Sequence, residues 1–150
     1  MDIKDYITAR VDKQIDWYDK KSIMCQKAYK RIQTFEICAA ALIPLLSGYS
    51  LSYNFIPVLI GSIGVVITIS ESISKLNRYH ENWIEYRSTC ELLKYQKYLF
   101  LTKSFPYTLQ ENENIENLFV KNIEQLISTE NNQWKIMNFK SLDELGKKLN

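Results

Sequence analysis

The sequence predicts an all-α membrane protein: a hairpin of two transmembrane helices, long cytoplasmic helical extensions that form a bundle, and a further helix toward the C-terminus. Three observations predict it. Neither Gly nor Pro occurs from Met1 to Ile43 or from Val65 to Phe105, so two long stretches lack the strongest helix breakers. Between them, the 34 residues from Ile37 to Ser70 contain no Asp, Glu, Lys, Arg or His. Outside that window, charged and apolar residues alternate with a helical period and nothing alternates like a strand.

Residues 1–34 read as a cytoplasmic amphipathic helix. Ile3, Ile7, Val11, Ile15 and Tyr18 recur every three or four positions, while Asp5, Asp12, Asp16 and Asp19 fall mostly elsewhere on the wheel. The charge-free window follows. As one α-helix it would extend about 51 Å, against a hydrocarbon core of roughly 30 Å, so it suits two spans rather than one. The break belongs in the polar, turn-forming stretch from Ser47 to Asn54. Asn54 there can cap a second helix that carries Pro57 in its first turn. The spans are then 35–53 and 55–73, with Tyr49, Tyr53 and Phe55 at the outer interface, where tyrosine rings are favoured.

Residues 74–105 read as a second cytoplasmic helix. Leu76, Tyr79, Trp83, Tyr86, Cys90, Leu93 and Phe100 follow a three-four spacing interrupted at Lys97, a seam able to pack on the first stripe. Phe105-Pro106-Tyr107 ends it, because Pro lacks a donor and disfavours the helical region for its predecessor. Thr108-Leu109-Gln110-Glu111 reads as a capping box opening a helix over 108–132, with Ile115, Leu118, Phe119, Ile123 and Leu126 on its apolar face. A second box, Ser141 to Glu144, opens a short tail over 139–150. The whole is one domain of 1–150.

Lys20, Lys21, Lys27, Lys30 and Arg31 precede the first span, Lys75, Arg78 and Arg87 follow the second, and no base lies between. That asymmetry orients a multi-pass membrane protein with both termini in the cytoplasm. The first thirty residues hold no uninterrupted apolar core of a secretory signal. A formal net charge of +2 argues against nucleic acid as a partner. Cys25, Cys38 and Cys90 form an odd set without CxxC spacing, which fits free thiols better than disulfides or zinc.

Catalysis needs a nucleophile with its base, a metal cluster or a phosphate cradle. None is legible, so neither an enzyme nor a cofactor or metal is expected. The single His80 lies beside Tyr79 and Glu81, where an interfacial packing role is plainer than ligation and a pH-sensing role is the sharper alternative.

The candidate residues lie in and beside the hairpin. Gly61, Gly64, Thr68 and Ser72 share one face of the second span. Close helix packing explains such small residues, within the hairpin or between protomers, and a lumen-lining face is the alternative. Pro44 interrupts the weaker first span and makes it the better candidate for protein or water contact. Glu36 and Glu71 mark the inner boundary at similar depth. Together with Thr68 and Ser72 they are the candidate pore-lining or gating residues, because carboxylate rings set cation preference. The plainer reading leaves both acids in headgroup water, paired with Arg31 or Lys75. Two helices enclose no water path, so a pore requires a homo-oligomer of four or more subunits.

Several ordered fragments resemble the bacterial SLATT superfamily, in particular its stand-alone branch, a domain of unknown function. They are Gln14-Ile15-Asp16-Trp17-Tyr18-Asp19-Lys20-Lys21, Ile43-Pro44-Leu45-Leu46-Ser47-Gly48, Trp83-Ile84-Glu85-Tyr86-Arg87, Glu91-Leu92-Leu93-Lys94 and Tyr98-Leu99-Phe100-Leu101-Thr102. The resemblance implies a pore-forming effector of conflict or antiviral defence systems that permeabilises the inner membrane. Its implied partners are membrane lipid, copies of itself, and a cytoplasmic sensor or nucleotide signal. Trp83, Tyr86 and Arg87 are the candidate bundle signature. Trp83 and Tyr86 belong to the seam, and Arg87 can stack on Trp83 or pair with Glu91. The alternative function is a non-conducting anchor or scaffold that recruits a cytoplasmic partner.

Overall fold

The computed structural model describes residues 2–50, 52–108 and 114–129, and it is helical with no strand among them. In chain order α1 is Ile3–Tyr6, a π-helical turn covers Ile7–Val11, α2 is Asp12–Ser47, α3 is Ile56–Asn77 and α4 is Tyr79–Leu101. A fifth helix, α5, covers 115–129. The contacts divide the chain into a terminal unit, drawn from Met1–Asp19 and Tyr86–Asn150, and a central unit, Lys20–Glu85.

The terminal unit is built around an apolar core of Tyr6, Ile7, Val11, Ile15, Tyr18, Cys90, Leu93, Tyr107, Phe119, Ile123 and Ile127. The amphipathic stripe explains its N-terminal half. Successive spacings of four drift by about 40° each on an α-helix, and the wider π-helical turn over Ile7–Val11 takes up that drift, so Ile7, Val11 and Ile15 all stay buried. The start of α2 runs antiparallel to α4. Lys97 pairs with Asp12, the Cys90 thiol meets the Ile15 carbonyl at 3.6 Å, and Arg87 reaches Asp19 at 3.2 Å. Lys97 interrupts the apolar seam because Asp12 faces it.

The helix read over 74–105 is two helices. α3 ends at Asn77, and Arg78 turns into the left-handed region at φ 49° and ψ 42°, its N–H donating to the Lys75 carbonyl at 3.1 Å. The Asn77 amide donates to the Ile73 carbonyl, and the Asn82 amide donates to the Asn77 carbonyl. The Asn82 amide thus covers the carbonyl of the last residue of α3, which the break leaves without a helical donor. α4 ends at Leu101, short of Phe105. Lys103 adopts φ 53° and donates to Phe100, and Ser104 donates to Leu99, the paired bonds of a Schellman cap with lysine in glycine's usual place.

The start of α5 also differs from expectation. The Asn114 side chain accepts the Asn117 N–H at 3.2 Å and caps the helix. Thr108 lies in a bend, while Leu109 to Glu111, the rest of the predicted box, fall outside the described residues, as do 130–132 and the 139–150 tail. Phe119 stacks on Phe100 with centroids 4.3 Å apart, and Tyr107 meets both rings edge-on. The buried Tyr107 hydroxyl donates to Gln96 and accepts from Asn122, so its polar atom is satisfied inside the core.

In the central unit, the break between α2 and α3 falls within the predicted stretch, after Ser47 and before Ile56. Phe55 is the N-cap residue in place of Asn54, without a side-chain cap bond, and Pro57 lies in the first turn as expected.

Candidate functional site

The apolar parts of α2 and α3 turn large side chains outward. Ile37, Leu42 and Leu45 of α2 and Val58, Val65, Ile69 and Ile73 of α3 are all exposed. The helical run from Ile56 to Leu101 contains a stretch long and apolar enough to cross a membrane, and only 6% of that stretch is buried. A soluble core helix of this composition would be covered. No such stretch is found in α2 among the described residues. Lys30, Arg31 and Glu36 cluster where its apolar part begins.

Where the apolar part of α2 begins and that of α3 ends, the structure brings Glu36 and Glu71 within electrostatic reach of each other. The Gln33 amide donates to Glu36 Oε2 at 3.1 Å, while Glu36 Oε1 is buried without a hydrogen-bond donor. Glu71 pairs with Lys75, one turn on, at 3.1 Å. The expected ion pair for Glu71 is therefore present. Glu36 meets an amide and a second carboxyl instead of Arg31. Glu36, Glu71 and Lys75 thus form one polar cluster within the central unit, beside its apolar stretches.

The small-residue face of α3 is arranged differently from a tight intramolecular packing surface. A Cβ built on Gly61 or Gly64 would have no atom within 4 Å, so neither glycine serves close packing within the chain. The Thr68 hydroxyl donates to the Gly64 carbonyl, and Ser72 donates to Thr68. Pro44 sits inside α2, where it removes the N–H that Ala40 would otherwise accept.

Trp83 belongs to the central unit, where it lies against Tyr29 and His80 and beneath Lys30 at 5.9 Å. Tyr86 belongs to the terminal unit and packs against Trp17 and Tyr18. Arg87 pairs with Glu91 at 2.8 Å as well as with Asp19, so the pairing alternative is the one observed. Leu76, placed in the seam by its spacing, is 78% exposed. His80 rests on Tyr29 at 4.8 Å.

Sequence reasoning missed one polar site. Arg10 and Tyr6 converge on Glu124 of α5, a pairing across more than a hundred residues that no local spacing signals. Among the described residues all three cysteines are free, with Cys25 and Cys90 buried, and no group of metal ligands is assembled.

A family model described as a protein of unknown function, DUF4231, matches residues 13–114. That is more than half of the 150 residues. The chain belongs to the DUF4231 family. The DUF4231 segment contains the whole central unit, and it ends where α5 begins. No curated protein and no solved structure matches the chain.

Proposed function

We propose that this DUF4231 protein is a multi-pass protein of the bacterial inner membrane. Its central unit crosses the bilayer twice, with both termini cytoplasmic, and four or more copies assemble into a cation-preferring pore. The observation that carries the reading is the Glu36–Glu71 pair at the inner end of two outward-facing apolar helices. Acids so placed are costly against lipid and are retained where they face water. The resemblance to the SLATT superfamily supports a role as a membrane-permeabilising effector in defence.

Flux from liposomes carrying the purified full chain tests this, together with the subunit count in nanodiscs. Flux from an assembly of at least four subunits is expected; a non-conducting dimer overturns the pore.

A second reading, the non-conducting anchor or scaffold, is favoured by one specific observation. The Ser62, Thr68 and Ser72 hydroxyls all donate to carbonyls of their own helix, so a dry protein interface could accept that face at little cost. A recruited cytoplasmic partner would then replace flux as the output.

A further inference from the structure

The central unit holds a polar cavity of about 260 Å³ where α2, the end of α3 and the start of α4 meet. Tyr29 and Gln33 of α2, Ser74 of α3 and His80 of α4 form its walls, and its charged groups are Glu71, Lys75 and Glu81. Ser74 is only 7% exposed, and its hydroxyl has no partner among the described residues. Ser62, Thr68 and Ser72 on the same helix return their hydroxyls to carbonyls one turn back, the usual way for such a side chain to satisfy itself in a helix. Buried hydroxyls ordinarily bond to something, and this one lines the cavity. The Tyr29 hydroxyl and the Glu81 carboxylate are likewise without a hydrogen bond or ion pair among the described residues. Gln33 donates its amide N–H to Glu36 Oε2, which leaves its carbonyl oxygen as an acceptor. Glu71 and Lys75 pair at 3.1 Å and offset each other, so Glu81 is the lining charge without a partner. Glu36, beside Glu71, adds a carboxyl and no base, while Lys30 sits over the Trp83 ring and is not among the lining residues.

We propose that this cavity binds one small primary ammonium ion, which donates to Ser74, Gln33 and Glu81 while its carbon chain lies against the Tyr29 and His80 rings. An ammonium supplies three N–H donors and a single positive charge, matching acceptors that lack donors and one unpaired carboxylate. An anion would meet Glu71 and Glu81, with the lone lining lysine already paired. No group of metal ligands is assembled among the described residues, and a quaternary ammonium has no N–H to donate. The two rings, 4.8 Å apart at their centroids, give a cation and its alkyl chain an aromatic surface. The site is read by binding alone, so its fate is separate from that of the pore.

The test titrates butylamine at pH 7 onto the full chain in phosphatidylcholine nanodiscs, with empty nanodiscs subtracted, and reads binding by saturation-transfer NMR. A dissociation constant on the order of 1 mM is expected for so small a ligand. Glu81→Gln should weaken binding about tenfold, and Ser74→Ala about fivefold. Glu116→Gln, which removes an exposed acid of the terminal unit, should leave it unchanged. Butanol, of the same shape without the charge, and tetramethylammonium, with the charge but no donor, should each bind at least tenfold more weakly than butylamine. Repeating the titration in nanodiscs that contain phosphatidylethanolamine distinguishes two sources of the ammonium. Weaker butylamine binding there assigns it to a lipid headgroup and unchanged binding to a soluble amine, and both support the site. Equal binding of butanol or tetramethylammonium, or an affinity that neither Glu81→Gln nor Ser74→Ala alters, overturns it.

Discussion

The Arg10 guanidinium grips the Glu124 carboxylate through two hydrogen bonds, Nε to Oε1 at 3.1 Å and a terminal nitrogen to Oε2 at 3.0 Å. The Tyr6 hydroxyl donates to the same Oε1 at 2.8 Å. One carboxylate thus ties α1 and the π-helical turn to α5. These bonds, Arg10's first, hold the Glu124 carboxyl below its usual range, against an opposing effect of partial burial. A carboxyl with a lowered folded-state pKa stabilises the fold above the ordinary carboxylate range, about 4.3 for Glu, and loses that contribution as pH falls through the lowered value. Both side chains are 42% exposed, so solvent screening limits the contribution to about 1 kcal/mol at neutral pH. Glu124→Gln should lower neutral-pH stability by about that amount and reduce its loss below about pH 4. Denaturant unfolding of the two proteins across that range measures both effects.

Phe119 is fully buried between Phe100 and Tyr107. Phe119→Ala should cost about 3–5 kcal/mol, the penalty for emptying a packed aromatic site. The same unfolding measurement on the full chain reads it, and a loss below about 1 kcal/mol would place α5 outside the core.

Arg78 holds a left-handed backbone without being glycine. A β-branched residue tolerates that region poorly, while glycine enters it freely. Arg78→Val should therefore be less stable than Arg78→Gly by about 1–2 kcal/mol. Equal stabilities would mean that α3 and α4 run on as one helix in solution.

The turn between α2 and α3, placed outside the cell in the proposed topology, gives a topological prediction. Ser52 is exposed between α2 and α3, so Ser52→Cys should react with a membrane-impermeant maleimide added outside intact cells. The parent should stay nearly unlabelled, since Cys25 and Cys90 are buried, and the proposed topology puts them on the far side of the membrane and the exposed Cys38 inside it. Labelling of Ser52→Cys only after the membrane is opened would reverse the orientation.

The helical class, the stop near Ser47 and most of the core stripe were legible because period and breakers act locally. Val11, Ile15, Cys90 and Leu93 were placed by spacing alone, and each is buried. The break at Arg78 was not legible. It uses no Gly or Pro, and the amide side chain that satisfies it comes from a position that also suits a continuous helix. Glu124 was missed because its partners lie at the other end of the chain. Glu36 and Glu71 were placed at similar depth by antiparallel counting, but their direct confrontation depends on helix rotation, which spacing does not fix. The three-four spacing of Gly61 and Gly64 likewise shows that a face is small without showing what covers it, and within the chain no atom lies within 4 Å of a Cβ built at either glycine.

Single-channel recording in planar bilayers, comparing wild type with Glu36→Gln and Glu71→Gln, addresses the pore most directly. The proposed pore predicts discrete cation-preferring openings whose selectivity falls in both variants. Protein that is inserted yet silent, or a selectivity that neither substitution alters, would contradict it.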